Sequence, residues 1–91
     1  MSAYVKPIKP LVMILKTLAE LGKARESEIA KRIPHFSIAT IHENLEKALL
    51  MGLVAKEGRY YILTDRGREF LKTVVEEIKK FAEEAEKVMV I

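Results

Sequence analysis

Between residues 11 and 21 the apolar positions Leu11, Ile14, Leu15, Leu18 and Leu21 recur at spacings of three and four, one face of a helix. Val12 and Met13 widen that stripe, so this helix is expected to be covered on two sides. Pro10 suits its first turn, where the missing N–H costs nothing, and Gly22 stops it, which gives helix 1 at 10–22. A second helix is predicted over 26–33, with Ile29, Ala30 and Ile33 inward. Glu26 and Glu28 lie in its first turn and Lys31 and Arg32 in its last, each sign at the end the helix dipole favours. Pro34 ends it. The third helix, 37–51, is capped by Ser37, turns Ile41, Leu45, Ala48 and Leu49 inward, and stops at Gly52.

After Gly52 the helical period gives way to β-branched and aromatic residues, which predicts a hairpin over 53–63. A two-residue turn at Glu57–Gly58 would set Lys56 opposite Arg59. Thr64 then caps a last helix, with Asp65 in its first turn. Leu71, Val74, Ile78, Phe81, Ala85 and Val88 alternate by three and four, an a/d heptad, and Val75, Ala82 and Met89 flank it every seven residues. At 1.5 Å per residue the helix runs for about 36 Å, longer than a domain this small covers. The chain therefore divides into a compact unit, 1–64, and a C-terminal helix, 65–91. The expected fold class is α+β, mainly α with a small β-hairpin.

Composition narrows the function classes. With 91 residues, 49% hydrophobic, the chain is expected to form one small domain with a thin core. No apolar run approaches a membrane span, and "LVMIL" (11–15) lacks the flanks of a signal peptide, so a cytoplasmic protein with no membrane partner is expected. The absence of cysteine excludes disulfides and thiolate metal sites. Residues 1–63 hold 10 Lys/Arg against 6 Asp/Glu, and residues 64–91 hold 6 against 7, so the positive excess sits in the compact unit. That excess suits an anionic partner. The chain has no Gln, a single Asn (Asn44) and abundant Lys and Glu, a thermophile trend. Melting above about 60 °C is expected on that reading.

No catalytic constellation is present. His35 and His42 are the only histidines, and neither has a Ser or Cys partner at a recognisable spacing. His42 and Glu46 are i,i+4 and read as a helical ion pair, since two ligands do not make a metal site. The four glycines are isolated, so no phosphate-cradling loop exists. The expectation is a non-enzyme with no cofactor, no metal and no evident small-molecule substrate.

"SEIAKRI" followed by "SIATIHENLEKALLMGLV" resembles the second and third helices of MarR- and PadR-type regulators, and "YYILTDRGREFL" resembles the passage from their wing into the C-terminal helix. With the order helix, helix, turn, helix, β-hairpin, these segments make residues 10–71 resemble a winged helix-turn-helix. The heptad beyond resembles archaeal winged-helix proteins that dimerise through a C-terminal antiparallel coiled coil. Pro34-His35-Phe36 replaces the commoner glycine-containing turn, the wing is short, and helix 3 is less basic than most.

The resemblance implies a homodimeric regulator of transcription that binds double-stranded DNA, with helix 3 in the major groove. Mapped onto this chain, Ser37, Ala39, Thr40, His42, Glu43 and Lys47 face the DNA. Ser37 and Thr40 suit phosphates or bases, Ala39 a thymine methyl, His42 a guanine acceptor, Glu43 cytosine N4 and Lys47 a phosphate. At the wing, repulsion between Lys56 and Arg59, worth a few tenths of a kcal/mol, would be relieved by a phosphate. Arg59 suits a minor groove, and Tyr60 either stacks on a sugar or covers the sheet. Arg25 and Lys31 add backbone contacts. Dimerisation is assigned to the heptad residues named above with Val12 and Met13. Two other readings stand beside this one. One is a protein-interaction winged helix in which Glu43 and Glu46 meet a basic surface; the other is a sequence-indifferent architectural DNA binder.

Overall fold

A computed structural model describes residues 9–90, with side chains described for 9–77 and for Lys79, Lys80 and Glu83. The heptad side chains Ile78, Phe81, Ala85 and Val88 lie outside the described set. The chain order is α1 (Lys9–Leu21), β1 (Lys23–Ala24), α2 (Glu26–Arg32), α3 (Ile38–Leu50), β2 (Val54–Glu57), β3 (Tyr60–Leu63) and α4 (Asp65–Val90). The fold is mostly helical, with a small antiparallel sheet of strand order β1-β3-β2.

The core forms where the stripes of α1, α2 and α3 meet the inner face of the sheet. Ile14, Leu15, Leu18, Ile29, Ile41 and Leu45 are fully buried. Each such side chain contributes about 1.5–3 kcal/mol relative to exposure. Two polar residues join them without loss, because each bonds its own helix: Thr17 Oγ1 donates to the Met13 carbonyl at 2.8 Å, and Asn44 Nδ2 donates to that of Thr40 at 2.8 Å. Met13 packs against the core from the side, and Val12 is half-buried.

The structure corrects two features of the predicted hairpin. The sheet has three strands, since Lys23 and Ala24, between the two predicted helices, pair with Ile62 and Tyr61 of β3. Two residues are too few for periodicity to reveal, but Ala24 is completely buried. The second correction is the turn. Glu57 pairs with Tyr60 and Lys56 with Tyr61, so the loop is Gly58–Arg59. Lys56 and Arg59 are therefore not opposite, and the expected repulsion between cross-strand partners does not arise. Gly58 has φ +61°, whereas no other residue type in the described chain has positive φ. Glycine first and an ordinary residue second is the type II′ pattern. A turn at Glu57–Gly58 would have needed Glu57 at positive φ for type I′ or glycine in its place for type II′.

Two caps join the compact unit to α4. The end of α3 is a Schellman motif: Leu53 N–H donates to the Ala48 carbonyl at 2.9 Å and Gly52 N–H to that of Leu49 at 3.1 Å, with Gly52 at φ +74°. Thr64 ties this end to the next helix. Its hydroxyl donates to the Gly52 carbonyl at 2.6 Å and accepts from Gly67 N–H at 3.0 Å. Gly67 then lies directly against the Leu53 carbonyl, where any Cβ would overlap it. Phe70 and Leu71 pack on the core, and Val74 is half-buried. From Val75, 48% exposed, the described side chains of α4 are exposed. The 26-residue helix spans about 39 Å.

Candidate nucleic-acid interface

The outer face of α3 begins at its cap. Ser37 Oγ accepts from Thr40 N–H at 3.1 Å and donates to Thr40 Oγ1 at 2.9 Å. Ser37 thus satisfies one free amide of the first turn, and the Thr40 hydroxyl keeps its own proton for an outside acceptor. Ala39, His42, Glu43, Glu46 and Lys47 are exposed along the same helix. Ile38 and Leu50 are exposed too, at 71% and 88%, although the apolar period gave neither a role.

His42 is held from outside its own helix. Its Nδ1 lies 2.9 Å from Oε1 of Glu26, the first residue of α2, while its Nε2 is 4.0 Å from Glu46 Oε1. The expected i,i+4 partner is thus the distant one. The hydrogen bond to Glu26 and that carboxylate's charge raise the His42 pKa above its ordinary value; Glu46 adds to the rise, and partial desolvation and Lys56 oppose it. No periodicity rule links residues 26 and 42, so this contact was invisible in the sequence.

The wing closes the other side of the same cleft, which is lined by Glu26, His42, Glu46, Lys56, Gly58, Arg59 and Tyr61. Lys56 Nζ sits 5.4 Å from the centre of the Tyr61 ring. Arg59 is exposed in the turn, clear of the sheet. Tyr60 falls on the opposite face from Tyr61 by strand alternation, with Lys23 Nζ 5.1 Å from its ring centre. The structure therefore brings His42, Lys56 and Arg59 together and leaves Tyr60 outside their cleft.

On α2, Arg25 and Lys31 are both exposed. Arg25 is the N-cap, where its backbone N–H donates to Glu28 Oε1 at 3.0 Å and its Nε to the same oxygen at 3.3 Å. These bonds hold the Glu28 carboxyl below its ordinary pKa, the backbone bond contributing most. Lys31 lines a separate shallow groove with Ala30, Pro34, Phe36 and Ile38. Among the described residues no group of three or more His, Asp or Glu side chains is placed to hold a metal ion, and no helix is long and apolar enough to cross a membrane.

Three helices, a short first strand, a two-stranded wing and a helix leaving the wing make up a winged helix-turn-helix fold. The quinone-bound YodB from B. subtilis is similar to this chain, with a TM-score of 0.70 and 24% identity over 92% of this chain and 99% of that one. The likeness is one of fold. The sequence matches no family profile and no curated protein.

Proposed function

We propose that this chain is a DNA-binding regulator of transcription, MarR/PadR-like in its winged-helix unit, that reads double-stranded DNA as a homodimer. The observation that carries this reading is the convergence of α3 and the wing: exposed α3 side chains and the cations Lys56 and Arg59 line one cleft. Ser37, Ala39, Thr40, His42, Glu43 and Lys47 address the major groove, while Arg59 at the turn reaches the flanking backbone or minor groove. Arg25 and Lys31 add phosphate contacts, and Tyr60, on the far face of the wing, covers the sheet.

Residues 1–64 serve as the reading unit and 65–91 as the dimerisation helix. Two observations support the dimer. Val75 is exposed on α4, and α4 extends well past the core it packs on. Val74, Ile78, Phe81, Ala85 and Val88 would face a second copy, with Val12 flanking them and the half-buried Leu71 and Met13 shared between that face and the core. Two α3 helices would then address successive major grooves about 34–36 Å apart.

The exposed carboxylates Glu43 and Glu46 favour a second reading, a module that docks on a basic protein surface. Selection from a random duplex pool separates the readings. Enrichment of a two-fold symmetric site is expected; binding without enrichment indicates an architectural DNA binder, and no duplex retained at low salt supports protein docking.

A further inference from the structure

Among the described residues, His42 is the one side chain on the outer face of α3 with a hydrogen bond to a neighbouring helix. A carboxylate oxygen accepts, so His42 Nδ1, 2.9 Å from Glu26 Oε1, is the donor. The other ring nitrogen, Nε2, is 4.0 Å from Glu46 Oε1, too far for a hydrogen bond, and the ring lies in the cleft beside the wing. The His42 side chain is 57% exposed, against 32% for Glu26. The reading side chain is therefore largely accessible while its anchor is more covered.

We propose that Glu26 is a positioning residue for base recognition: it grips His42 by Nδ1 and presents Nε2–H as a donor that selects guanine. The inference rests on the DNA-binding reading above. Guanine offers two adjacent acceptors, N7 and O6, at its major-groove edge, whereas adenine sets an amino donor beside its single acceptor N7, thymine offers O4 alone and cytosine only an amino donor. A neutral His42 gripped in this way would present Nε2 as an acceptor, suited to those amino groups instead. The base preference thus depends on one proton.

The charged and titratable groups around the ring are Glu26 from α2, Glu46 from α3, Lys56 from β2, Arg59 from the turn and Tyr61 from β3. The two carboxylates favour the doubly protonated ring, and Lys56 disfavours it. DNA phosphates would add to the first effect. The donor form consequently persists to higher pH than in an unpaired histidine and is lost as pH rises through the His42 midpoint.

The test uses a duplex selected by the wild type at pH 6 and a copy with guanine replaced by adenine at the position that His42 reads. Kd is measured from pH 5.5 to 8.5 for the wild type, His42→Gln and Glu26→Gln, and the His42 ring is titrated by NMR without DNA. Wild-type affinity for the guanine duplex is expected to fall as pH rises, approaching about tenfold per pH unit for each His42 engaged, the limit for one proton per reading helix. His42→Gln should flatten this dependence. Glu26→Gln should lower the His42 midpoint and move the loss of affinity to lower pH. An unchanged midpoint in Glu26→Gln, or the same pH profile in His42→Gln, overturns the inference while leaving DNA binding intact. If the wild type binds no duplex at low salt and any pH, the DNA-binding reading fails and this inference with it.

Discussion

Replacing Gly67 by alanine sets two effects of opposite sign against each other. Gly67 is buried in the first turn of α4, and glycine is about 1 kcal/mol poorer than alanine in a helix interior. Propensity alone would make Gly67→Ala stabilising. The added Cβ, however, would overlap the Leu53 carbonyl oxygen and lie 3.0 Å from Leu53 C and 3.2 Å from Leu63 Cγ. The main obstacle is backbone and cannot swing aside. That carbonyl accepts from Thr64 N–H at 3.1 Å, and Leu53 N–H is itself bound to Ala48. Either α4 lifts off the wing or the Thr64 bond breaks. Overpacking costs about 1–3 kcal/mol, and a lost buried hydrogen bond costs about as much again. The steric effect wins, for a net loss of about 1–5 kcal/mol. At about 4–8 °C per kcal/mol for a domain of this size, Tm falls by about 4 °C or more. Thermal unfolding followed by circular dichroism, at matched protein concentration, reads this directly. Lys72→Ala, exposed on the same helix, should stay within about 0.5 kcal/mol of the wild type. A Gly67→Ala protein that melts at or above the wild-type temperature would refute the seating of α4 on Leu53.

Thr64→Val removes the hydroxyl that joins Gly52 to Gly67 and should cost about 1–2 kcal/mol in chemical denaturation; an unchanged midpoint contradicts its role as the junction. Arg59→Ala should weaken binding to all duplexes alike and reduce the salt slope by about 1, whereas Glu43→Ala should change which sequences are preferred. The reverse pattern would exchange their assigned roles. Ile78→Asp should give monomers by light scattering from a dimeric wild type, and a wild type that is already monomeric sinks the dimer assignment.

The helices were legible because each announces its buried face and its ends. Leu11, Ile14, Leu15 and Leu18 repeat at helical spacing and are all buried, and Ser37 and Gly52 bracket α3 as cap residues do. The wing was legible as a hairpin but not in register. Glu57-Gly58 and Gly58-Arg59 are both plausible two-residue loops in sequence, and only the backbone sign at each position separates them. β1 was hidden because a two-residue strand has no period. Of the cleft, Lys56 and Arg59 were visible as charges near a turn, but Glu26 was assigned solely to the dipole of its own helix. Its contact with His42 depends on how α2 crosses α3, a tertiary property that local patterning does not encode. Of the α3 carboxylates, Glu46 shares its cleft with Lys56 and Arg59, so that cleft mixes both signs.

The most direct measurement is the affinity of the wild-type chain for a selected duplex as a function of salt. Binding through Arg59, Lys47 and the α2 cations releases counterions, so log K should fall linearly with log salt, by about 0.9 for each phosphate neutralised. A slope corresponding to several phosphates, together with weaker binding to random duplex, is the predicted result. No binding at low salt, or an affinity that does not change with salt, would contradict recognition of DNA by α3 and the wing.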